Sequence, residues 1–499
     1  MVRARLAKCV FRSALPLSGK RVSHVKLTRP AIAVAAAAVI AAGSVPVVHT
    51  LADGGDVAQI RPLDDTTLTM VEEAETPTET TTTEATTEAT TEASTTTSEV
   101  PPSSISESAT PPTAAPTPEL DSKPVDEVPT QTPPPEPAPV DPVIRTLDKA
   151  PKTYKGSDQR WFNIAQNGLY GLDGKLYKMP NGERLEVKSE SMDRWIPIAL
   201  FRATDGNGKI VDNAPTIYLL NGAGGSEQDT DWVNQAFPEM VQTFAGQSVN
   251  VVVPMEGAFS YYVDWAAEPP VTNSFYKGKQ MWSTFLAHEL PAAVEGYTNA
   301  NDKRAVAGLS MAATSTLLLA EHNPGFYDAV GSFSGCAATS TPIPNFFIGL
   351  TVDRGASGKM TPEHIFGPMG SDYNRYNDAL VNAERLRGTK LYISTGTGLA
   401  GETDMPGYLA KRLQDSNLQK ESAEAHFQGS ANAFTLQVEG GAIEGAMNAC
   451  THDLRAKLNG LGIPADYELR NVGTHSWPVW KDDLKLSYDR VFKEALGLK

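Results

Sequence analysis

A repeated alternation of short apolar runs with longer amphipathic stretches, from about residue 150 onward, constrains the fold more than any other feature. The apolar runs occupy 214–222, 247–255, 302–310 and 389–398, and the helical patterns occupy 281–297, 310–323 and 449–462. Continuous apolar strands alternating with helices are typical of a mainly parallel sheet that helices cover on both faces. The sequence therefore predicts an α/β domain, which we place at residues 151–499.

The first 52 residues have the pattern of an export signal. They carry eight Lys and Arg and no acidic residue, and an apolar run at 31–42 leads to a small-residue cleavage site ending at Ala52. An uncleaved membrane anchor is the alternative, although Pro46 interrupts the run before it reaches the ~20 apolar residues of a spanning helix. We expect a protein that is secreted or held in the cell envelope.

Residues 53–150 have the composition of a linker. Repeats of Thr and Glu lead into Pro-rich stretches, with few aromatic or branched aliphatic residues. Burial cannot offset the entropy of ordering such a segment, and acidic repulsion and proline favour an extended chain. We predict a disordered spacer; a stalk through a cell envelope and a tether with no specific role are equally compatible with it.

The distribution of charge excludes a nucleic-acid partner. The net charge of −16 divides into +8 for 1–52, −17 for 53–142 and −7 for 143–499. A nucleic-acid binder needs a basic face to neutralise phosphates, whereas the predicted domain is mildly acidic. Such a charge is compatible with neutral sugar and lipid substrates.

Two cysteines, Cys336 and Cys450, remain beyond the signal region. An even number in an oxidising compartment indicates one disulfide, with two buried free thiols as the alternative. No Cys/His cluster has the spacing of metal ligands and no phosphate-cradling motif occurs, so we expect neither a metal nor an organic cofactor.

The sequence around Ser310 predicts a nucleophile elbow. Gly308-Leu309-Ser310-Met311-Ala312 stands where a strand pattern gives way at once to a helical pattern. In such an elbow the serine sits at the tip of a tight turn, and the helix N-terminus favours a developing oxyanion. The last glycine of G-x-S-x-G is Ala312 here, and a serine that only caps the helix is the alternative.

A base and an acid must follow the nucleophile, in the order Ser, Asp or Glu, His. His475 is the candidate base, because it lies in a loop directly after the strand-like run 465–470, whereas His288 and His322 fall within helical patterns. Glu444 stands in the correct place for the acid. The pattern leaves the choice of acid open, since four other carboxylates compete: Glu402, Asp404, Glu439 and Asp453.

The glycine-rich loop after the run 214–222 is a candidate for the second oxyanion donor. Acyl transfer needs a backbone N–H from a loop after an early strand, and Ala223 is placed to supply it beside Met311. A glycine-rich turn with only structural meaning is the alternative.

Taken together, these residues resemble the secreted mycolyltransferases of mycolic-acid-containing bacteria, the antigen 85 family, and look closer to its corynebacterial branch. The matching segments run in order through most of 185–497: SMDRWIPI, YLLNGAGG, FSYYVDW, WSTFLAHELP, GLSMAA, GSFSG, FFIGLTVDRG, IFGP, AIEGAMNACTHDL and GTHSWPVW. GLSMAA and GTHSW are the specific motifs, and their joint occurrence at this spacing is hard to obtain by chance.

The resemblance implies an α/β-hydrolase fold and a role for each candidate residue. Ser310 is then the nucleophile, His475 the general base and Glu444 the acid that orients the imidazole, with oxyanion N–H groups from Ala223 and Met311. The family reaction is acyl transfer through a mycolyl-enzyme, from trehalose monomycolate to a second trehalose monomycolate or to cell-wall arabinogalactan. We accordingly expect trehalose mycolates and cell-wall glycans as partners of a monomer associated with the cell envelope.

The loop that faces trehalose departs from the mycobacterial branch. That branch carries an acidic and a basic side chain there, whereas this chain has Asn221-Gly222-Ala223-Gly224 and no arginine. The departure leaves the sugar contacts and the preferred acceptor open. Asn221 and Trp477 are candidates for contact with the sugar, although Trp477 is equally compatible with a packed core position.

The cysteines also depart from that branch. Its disulfide position has no counterpart near 265–280. We predict instead that Cys336 and Cys450 bridge and help to hold the segment of Glu444.

Three other functions stay open. A secreted carboxylesterase of the same fold would pass the acyl group to water, and a protein-directed mycolyltransferase would pass it to Ser or Thr of envelope proteins. A non-enzymatic surface adhesion module would keep its activity after Ser310→Ala, but the order Ser, Glu, His weighs against it.

Overall fold

A computed structural model describes residues 144–415 and 422–498. The predicted signal, 1–52, and nearly all of the predicted linker, 53–150, lie outside the described residues. The strands are β1 Ile144–Thr146, β2 Leu169–Tyr170, β3 Leu176–Tyr177, β4 Gly182–Ser189, β5 Arg194–Phe201, β6 Thr216–Leu220, β7 Asn250–Pro254, β8 Arg304–Leu309, β9 Ala329–Phe333, β10 Lys390–Thr395 and β11 Asp466–Leu469.

The α-helices alternate with these strands. They are α1 Trp161–Asn167, α2 Trp232–Gln235, α3 Phe237–Phe244, α4 Trp282–Thr284, α5 Leu290–Thr298, α6 Met311–His322, α7 Pro342–Asp353, α8 Pro362–Phe366, α9 Asp372–Tyr376, α10 Ala379–Asn382, α11 Pro406–Asp415, α12 Ser422–Thr435, α13 Gly441–Leu461, α14 Trp477–Ser487 and α15 Lys493–Ala495. Short 3-10 turns lie at Ser226–Gln228, Ala383–Leu386 and Glu402–Asp404, and π-helical turns at Phe285–Glu289, Leu436–Gly440 and Tyr488–Phe492. Of the described helices, none combines the length and the apolarity needed to cross a bilayer.

Within the described residues, nine strands form one sheet in the order β1-β4-β5-β7-β6-β8-β9-β10-β11, while β2 and β3 pair separately. The run from β7 to β11 is parallel, and β1, β4 and β5 extend it with antiparallel pairs. The predicted α/β class, with a mainly parallel central sheet, is confirmed.

Alternate side chains of the central strands enter two separate cores. In β6, Tyr218 and Leu220 belong to one core, and Ile217 and Leu219 to the other. Helices α5 and α6 cover the first face, whereas α3 and α14 cover the second. Burial on both faces explains why these strands are apolar at every position rather than at every second one.

The sheet begins before residue 151, where composition placed the start of the domain. Strand β1 pairs antiparallel with β4, and the Arg145 guanidinium lies 3.6 Å from the centre of the Trp195 ring. The predicted boundary at 151 is therefore several residues too late. A three-residue edge strand next to a Pro-rich stretch is too short for composition to reveal.

Parallel strands bring the site together at one edge. The loops that follow β6, β8, β9, β10 and β11 all leave the sheet at its carboxyl end. In open α/β sheets this edge is where ligands bind. Residues far apart in sequence therefore become neighbours there.

Candidate active site

Ser310 stands at a strained turn between β8 and α6. Its φ of 56° and ψ of −121° are rare for a residue with a side chain, and its N–H donates to the Phe333 carbonyl at 2.8 Å. The turn needs small neighbours, because a Cβ on Gly308 would lie 2.8 Å from the Ala312 Cβ. Strain of this kind persists where the surrounding structure enforces it, and here it holds the serine hydroxyl at the tip of the turn.

His475 lies in the loop between β11 and α14, with its imidazole beside Ser310. The Nε2 atom is 2.7 Å from Ser310 Oγ. The backbone N–H of His475 donates to the Gly440 carbonyl at 3.1 Å, and the ring packs edge-to-face against Trp480 with centroids 4.9 Å apart. Backbone and ring are thus both fixed, so the imidazole can face the hydroxyl without further ordering.

Glu444, in the first turn of α13, completes the line of contacts. Its side chain is fully buried, and Oε2 lies 2.7 Å from His475 Nδ1. The other oxygen, Oε1, accepts hydrogen bonds from the Ser334 hydroxyl at 2.8 Å, the Thr395 hydroxyl at 3.1 Å and the Gly396 N–H at 2.6 Å. A carboxylate with these donors can hold the imidazole in the tautomer that leaves Nε2 free to accept a proton.

Two opposing effects act on the pKa of Glu444. Burial alone would raise it, but the contact with the His475 imidazole and the hydrogen bonds from Gly396 and Ser334 outweigh burial and lower the pKa below its ordinary value. The acid is therefore held in its ionised form, which is the form that orients and stabilises an imidazolium.

The other four candidate acids lie elsewhere. Glu402 and Asp453 are exposed, and Glu439 pairs with Arg354. Asp404 is buried near the site, but its carboxylate accepts hydrogen bonds from Thr474 and Gly401 and does not contact the imidazole. The structure therefore places Glu444 in contact with the His475 imidazole, whereas Asp404 binds the neighbouring loop residues Thr474 and Gly401.

The glycine-rich loop after β6 passes next to the nucleophile. A Cβ on Gly222 would lie 3.7 Å from the Ser310 Cβ, so the loop backbone and the serine are close neighbours. The carbonyl of Ala223 accepts the Phe259 N–H at 2.8 Å. Met311 is the first residue of α6, and its N–H is one of those that have no intrahelical partner.

Asn221, a predicted candidate for contact with the sugar, lies buried at the start of the loop after β6. Its side chain is fully buried; Nδ2 donates to the Pro254 carbonyl at 2.7 Å, and Oδ1 accepts the Trp232 N–H at 3.0 Å. Both polar groups are used to hold the start of the loop, because a buried amide must be satisfied within the protein.

Trp477 is partly buried and packs with other tryptophans. Its ring centre lies 5.4 Å from that of Trp232 and 5.5 Å from that of Trp480, each in an edge-to-face arrangement. These contacts match the packed position that the sequence left open, and Trp480 in turn supports His475.

Cys336 and Cys450 form a disulfide, with Cα atoms 5.0 Å apart. Cys336 follows Ser334 by two residues, and Cys450 lies in the same helix as Glu444. The bridge therefore ties the loop after β9 to α13 next to the place where Ser334 bonds Glu444.

Ser334 and Thr395 were not predicted as part of the site, and Asp404 was predicted only as a competing candidate for the acid. The first two immediately follow or end parallel strands, and their hydroxyls reach the same carboxylate oxygen. A polar residue at the carboxyl end of each buried strand was a usable signal. The observed role of Asp404 gave no such signal, since it depends on a contact with a loop 70 residues away.

The matches to known proteins cover the part of the chain that contains this site. A family model described as "Putative esterase" matches residues 189–487, more than half of the chain. The diacylglycerol acyltransferase/mycolyltransferase Ag85B of Mycobacterium leprae is 30% identical over 267 residues, which cover 52% of this chain and 77% of the relative. Ag85A of Mycobacterium leprae is 29% identical over 311 residues, covering 60% of this chain and 80% of the relative.

Among solved structures, Mycobacterium tuberculosis MPT51 (FbpC1) aligns over 63% of this chain and 98% of its own. The TM-score is 0.46 at 21% identity.

Proposed function

The chain belongs to the esterase family and, within it, to the antigen 85-type mycolyltransferases, and on this premise we propose that it transfers a mycolyl group from trehalose monomycolate to a sugar hydroxyl. As a member it is an acyl-transferring enzyme with an α/β-hydrolase fold. Two successive contacts support this transfer reaction. Glu444 Oε2 lies 2.7 Å from His475 Nδ1, and His475 Nε2 lies 2.7 Å from Ser310 Oγ. Acid, base and hydroxyl in this order are what serine acyl transfer requires.

In the first half of the reaction Ser310 becomes acylated. His475 Nε2 takes the hydroxyl proton while Oγ attacks the ester carbonyl carbon, which gives a tetrahedral oxyanion. As that intermediate collapses, the bond to the trehalose oxygen breaks, and the proton on Nε2 passes to the leaving sugar. Glu444, whose pKa is lowered, stays ionised and stabilises the imidazolium formed in between.

In the second half a sugar hydroxyl takes the place of the departed trehalose. His475 accepts its proton, the sugar oxygen attacks the acyl-enzyme carbonyl, and the proton returns to Ser310 Oγ as the new ester leaves. The acceptor is a second trehalose monomycolate or a glycan of the cell wall. No water molecule is consumed, so the ester bond is conserved overall.

The backbone N–H groups of Met311 and Ala223 serve as the oxyanion donors in this proposal. Support comes from the position of Met311 at the start of α6 and from the close approach of the loop after β6 to Ser310. A helix N-terminus favours negative charge, and donors fixed in advance need no reorganisation during the reaction.

Apolar side chains around the site support a long acyl chain as the transferred group. Leu399 is 65% exposed and Val472 47% exposed, on two loops joined by the hydrogen bond from Gly473 N–H to the Leu399 carbonyl. Phe434, 69% exposed, lies in the last turn of α12, shortly before Gly440, whose carbonyl accepts the His475 N–H. Exposed apolar groups of this size next to a reaction site are typical of a lipid-binding surface.

We also assign roles to the preceding segments: residues 1–52 direct export, and the acidic, Pro-rich residues after them space the catalytic domain from its point of attachment. The support for both roles is composition. Their consequence is an enzyme that acts in the cell envelope.

Incubation of the protein with labelled trehalose monomycolate tests the proposal. Wild type should form trehalose dimycolate, and Ser310→Ala should abolish product. Ser430→Ala is the matched control, because Ser430 is an exposed serine of α12 whose hydroxyl donates to the His426 carbonyl of its own helix. It should retain wild-type activity.

The alternatives give different products in the same assay. Release of free mycolic acid without dimycolate, at a rate independent of added sugar, would identify a carboxylesterase. Label on envelope proteins would identify a protein-directed transferase. No turnover by either wild type or Ser310→Ala would contradict an enzymatic role.

A further inference from the structure

Glu227 is a buried acid in the loop after β6, four residues beyond Ala223. Only 2% of its surface is exposed, and its Oε1 accepts the N–H groups of Gly257 at 2.9 Å and Ala258 at 3.2 Å. Its Oε2 is buried without a hydrogen-bond partner among the described residues. A Cβ on Gly225 would lie 2.6 Å from this oxygen, so the carboxyl fills the space between two loops.

The segment that Glu227 holds is strained and contacts both proposed oxyanion donors. Phe259, Tyr261 and Tyr262 all have positive φ, at 60°, 54° and 46°. Phe259 donates its N–H to the Ala223 carbonyl at 2.8 Å, and the Tyr261 N–H lies 3.2 Å from Met311 Sδ. Strained backbone keeps such a conformation only where its surroundings enforce it. Anchoring this segment at 257–258 therefore also anchors its two contacts with the donors.

We propose that Glu227 is a positioning residue of the acyl-transfer reaction, which fixes the segment 257–262 and through it the Ala223 and Met311 donors. This inference rests on the proposed role of Ser310. It adds a residue that touches neither substrate nor nucleophile.

The groups that face the carboxyl of Glu227 favour its neutral form near neutral pH. Burial, and then the charge of Glu256, raises the pKa of Glu227 to about 7, with Lys277 acting in the opposite direction. Glu256 is itself bound by Arg194 at 3.0 Å and Lys277 at 2.7 Å, so those cations are already paired. The other titratable groups on this side are Tyr262, whose pKa is raised by burial and by Glu227, and Asp231, whose pKa burial raises to about 6.

Loss of the Glu227 proton would place a negative charge beside Glu256 and beneath the loop that must stabilise an oxyanion. A negative charge near a developing oxyanion raises the activation barrier, and each ~1.4 kcal/mol of added barrier slows a reaction about tenfold. Activity should therefore be highest with Glu227 protonated and fall as the pH rises through about 7.

Two substitutions separate the positioning role from the charge. Glu227→Gln keeps an oxygen that accepts from Gly257 and Ala258 but cannot ionise, whereas Glu227→Ala removes the acceptor. The matched control is Glu321→Gln, which changes a fully buried carboxyl in α6 that has no hydrogen-bond partner among the described residues. The measurements are kcat and KM for a water-soluble chromogenic acyl ester between pH 5.5 and 9, and amide hydrogen exchange of 255–263.

We expect Glu227→Ala to lose about tenfold to a hundredfold in kcat with little change in KM, and its 255–263 amides to exchange faster. The kcat of Glu227→Gln should equal that of wild type at pH 6 and exceed it at pH 8.5, because only the wild-type side chain becomes negatively charged as the pH rises. Glu321→Gln should follow the wild-type pH profile.

The inference is overturned if the kcat of Glu227→Gln falls at high pH as much as that of wild type. It is also overturned if Glu227→Ala keeps the wild-type kcat and the wild-type amide exchange of 255–263. A wild type with no Ser310-dependent turnover would instead overturn the proposed function. The exchange of 255–263 in Glu227→Ala would then still decide whether this carboxyl holds the segment.

Discussion

Thr474, the residue before His475, donates its hydroxyl hydrogen to Asp404 at 2.9 Å across 70 residues of sequence. Ser476, on the other side of the histidine, lies 3.4 Å from the same oxygen, and the Gly401 N–H donates to the second carboxylate oxygen at 2.9 Å. The loop of the proposed base is thus tied at both sides to one buried carboxylate.

Removing that carboxylate should lower activity through the position of the imidazole. Asp404→Ala leaves the Thr474 hydroxyl and the Gly401 N–H without their acceptor, which costs about 1–3 kcal/mol of stability. We expect kcat to fall about tenfold or more, since small displacements of a catalytic group are costly. Esterase kinetics and the thermal midpoint measure the two effects. Glu402→Ala, an exposed neighbour, is the control; an Asp404→Ala protein with wild-type kcat and midpoint would refute the assignment.

Glu444→Gln should nearly abolish turnover while the protein stays folded. The amide cannot stabilise an imidazolium, and replacing the acid of a triad by its amide costs roughly 10²–10⁴ in kcat. Single-turnover acylation of Ser310 measures the loss, and circular dichroism checks the fold. Retention of more than a tenth of wild-type kcat would show that another group orients His475.

Glu444 should also contribute to the pH dependence of stability. The pKa of Glu444 is lowered in the folded protein. Its contribution to the free energy of unfolding is therefore complete above the pKa of an unfolded glutamate, about 4.3. That contribution is lost as the pH falls through the lower pKa of the folded state. Urea unfolding of wild type between pH 6 and pH 3 should show a steeper loss of unfolding free energy than Glu444→Gln. Equal slopes would contradict the lowered pKa.

The disulfide should stabilise the domain and preserve the site. Cys336 and Cys450 are 114 residues apart, and bridges that close long loops contribute about 2–5 kcal/mol. We expect a reductant to lower the urea midpoint of wild type and leave a Cys336→Ser, Cys450→Ser double variant unchanged. Activity should fall on reduction, since α13 carries Glu444. An unchanged midpoint in reductant would contradict a structural role for the bridge.

Gly308 and Gly460 should respond in opposite directions to the same substitution. Gly308→Ala brings a Cβ to 2.8 Å from both the Cβ and the carbonyl oxygen of Ala312, so we expect a loss of about 1–3 kcal/mol and a displaced Ser310. Gly460→Ala lies inside α13 with open space around its Cβ and should gain about 0.5–1 kcal/mol. Chemical denaturation measures both; destabilisation by Gly460→Ala would undermine the comparison.

The sequence predicted those parts of the fold that local signals determine. The central strands β6, β7, β8 and β10 lie within the four predicted runs, because strands buried on both faces are apolar throughout. The hairpin of β4 and β5 was not predicted. Its strand β4 alternates buried with partly exposed residues at the margin of the sheet, a weaker pattern.

The candidate site was predictable to a different extent for each residue. Ser310 follows from the succession of strand, tight turn and helix, which is local. The choice of Glu444 over Asp404 depends on which carboxylate meets the imidazole after long-range packing, and spacing does not contain that information. The burial of Asn221 was not predictable, because a buried amide that holds a loop and an exposed amide that binds a sugar look the same in a sequence.

The large sequence separations within the site bear on when a growing chain becomes reactive. Ser310 precedes Glu444 by well over a hundred residues and His475 by 165, so a ribosome completes the elbow long before it adds either partner. A partly synthesised polypeptide would present a serine with no base to deprotonate it. In the proposed mechanism, reactivity at Ser310 therefore requires that the chain has been synthesised as far as His475.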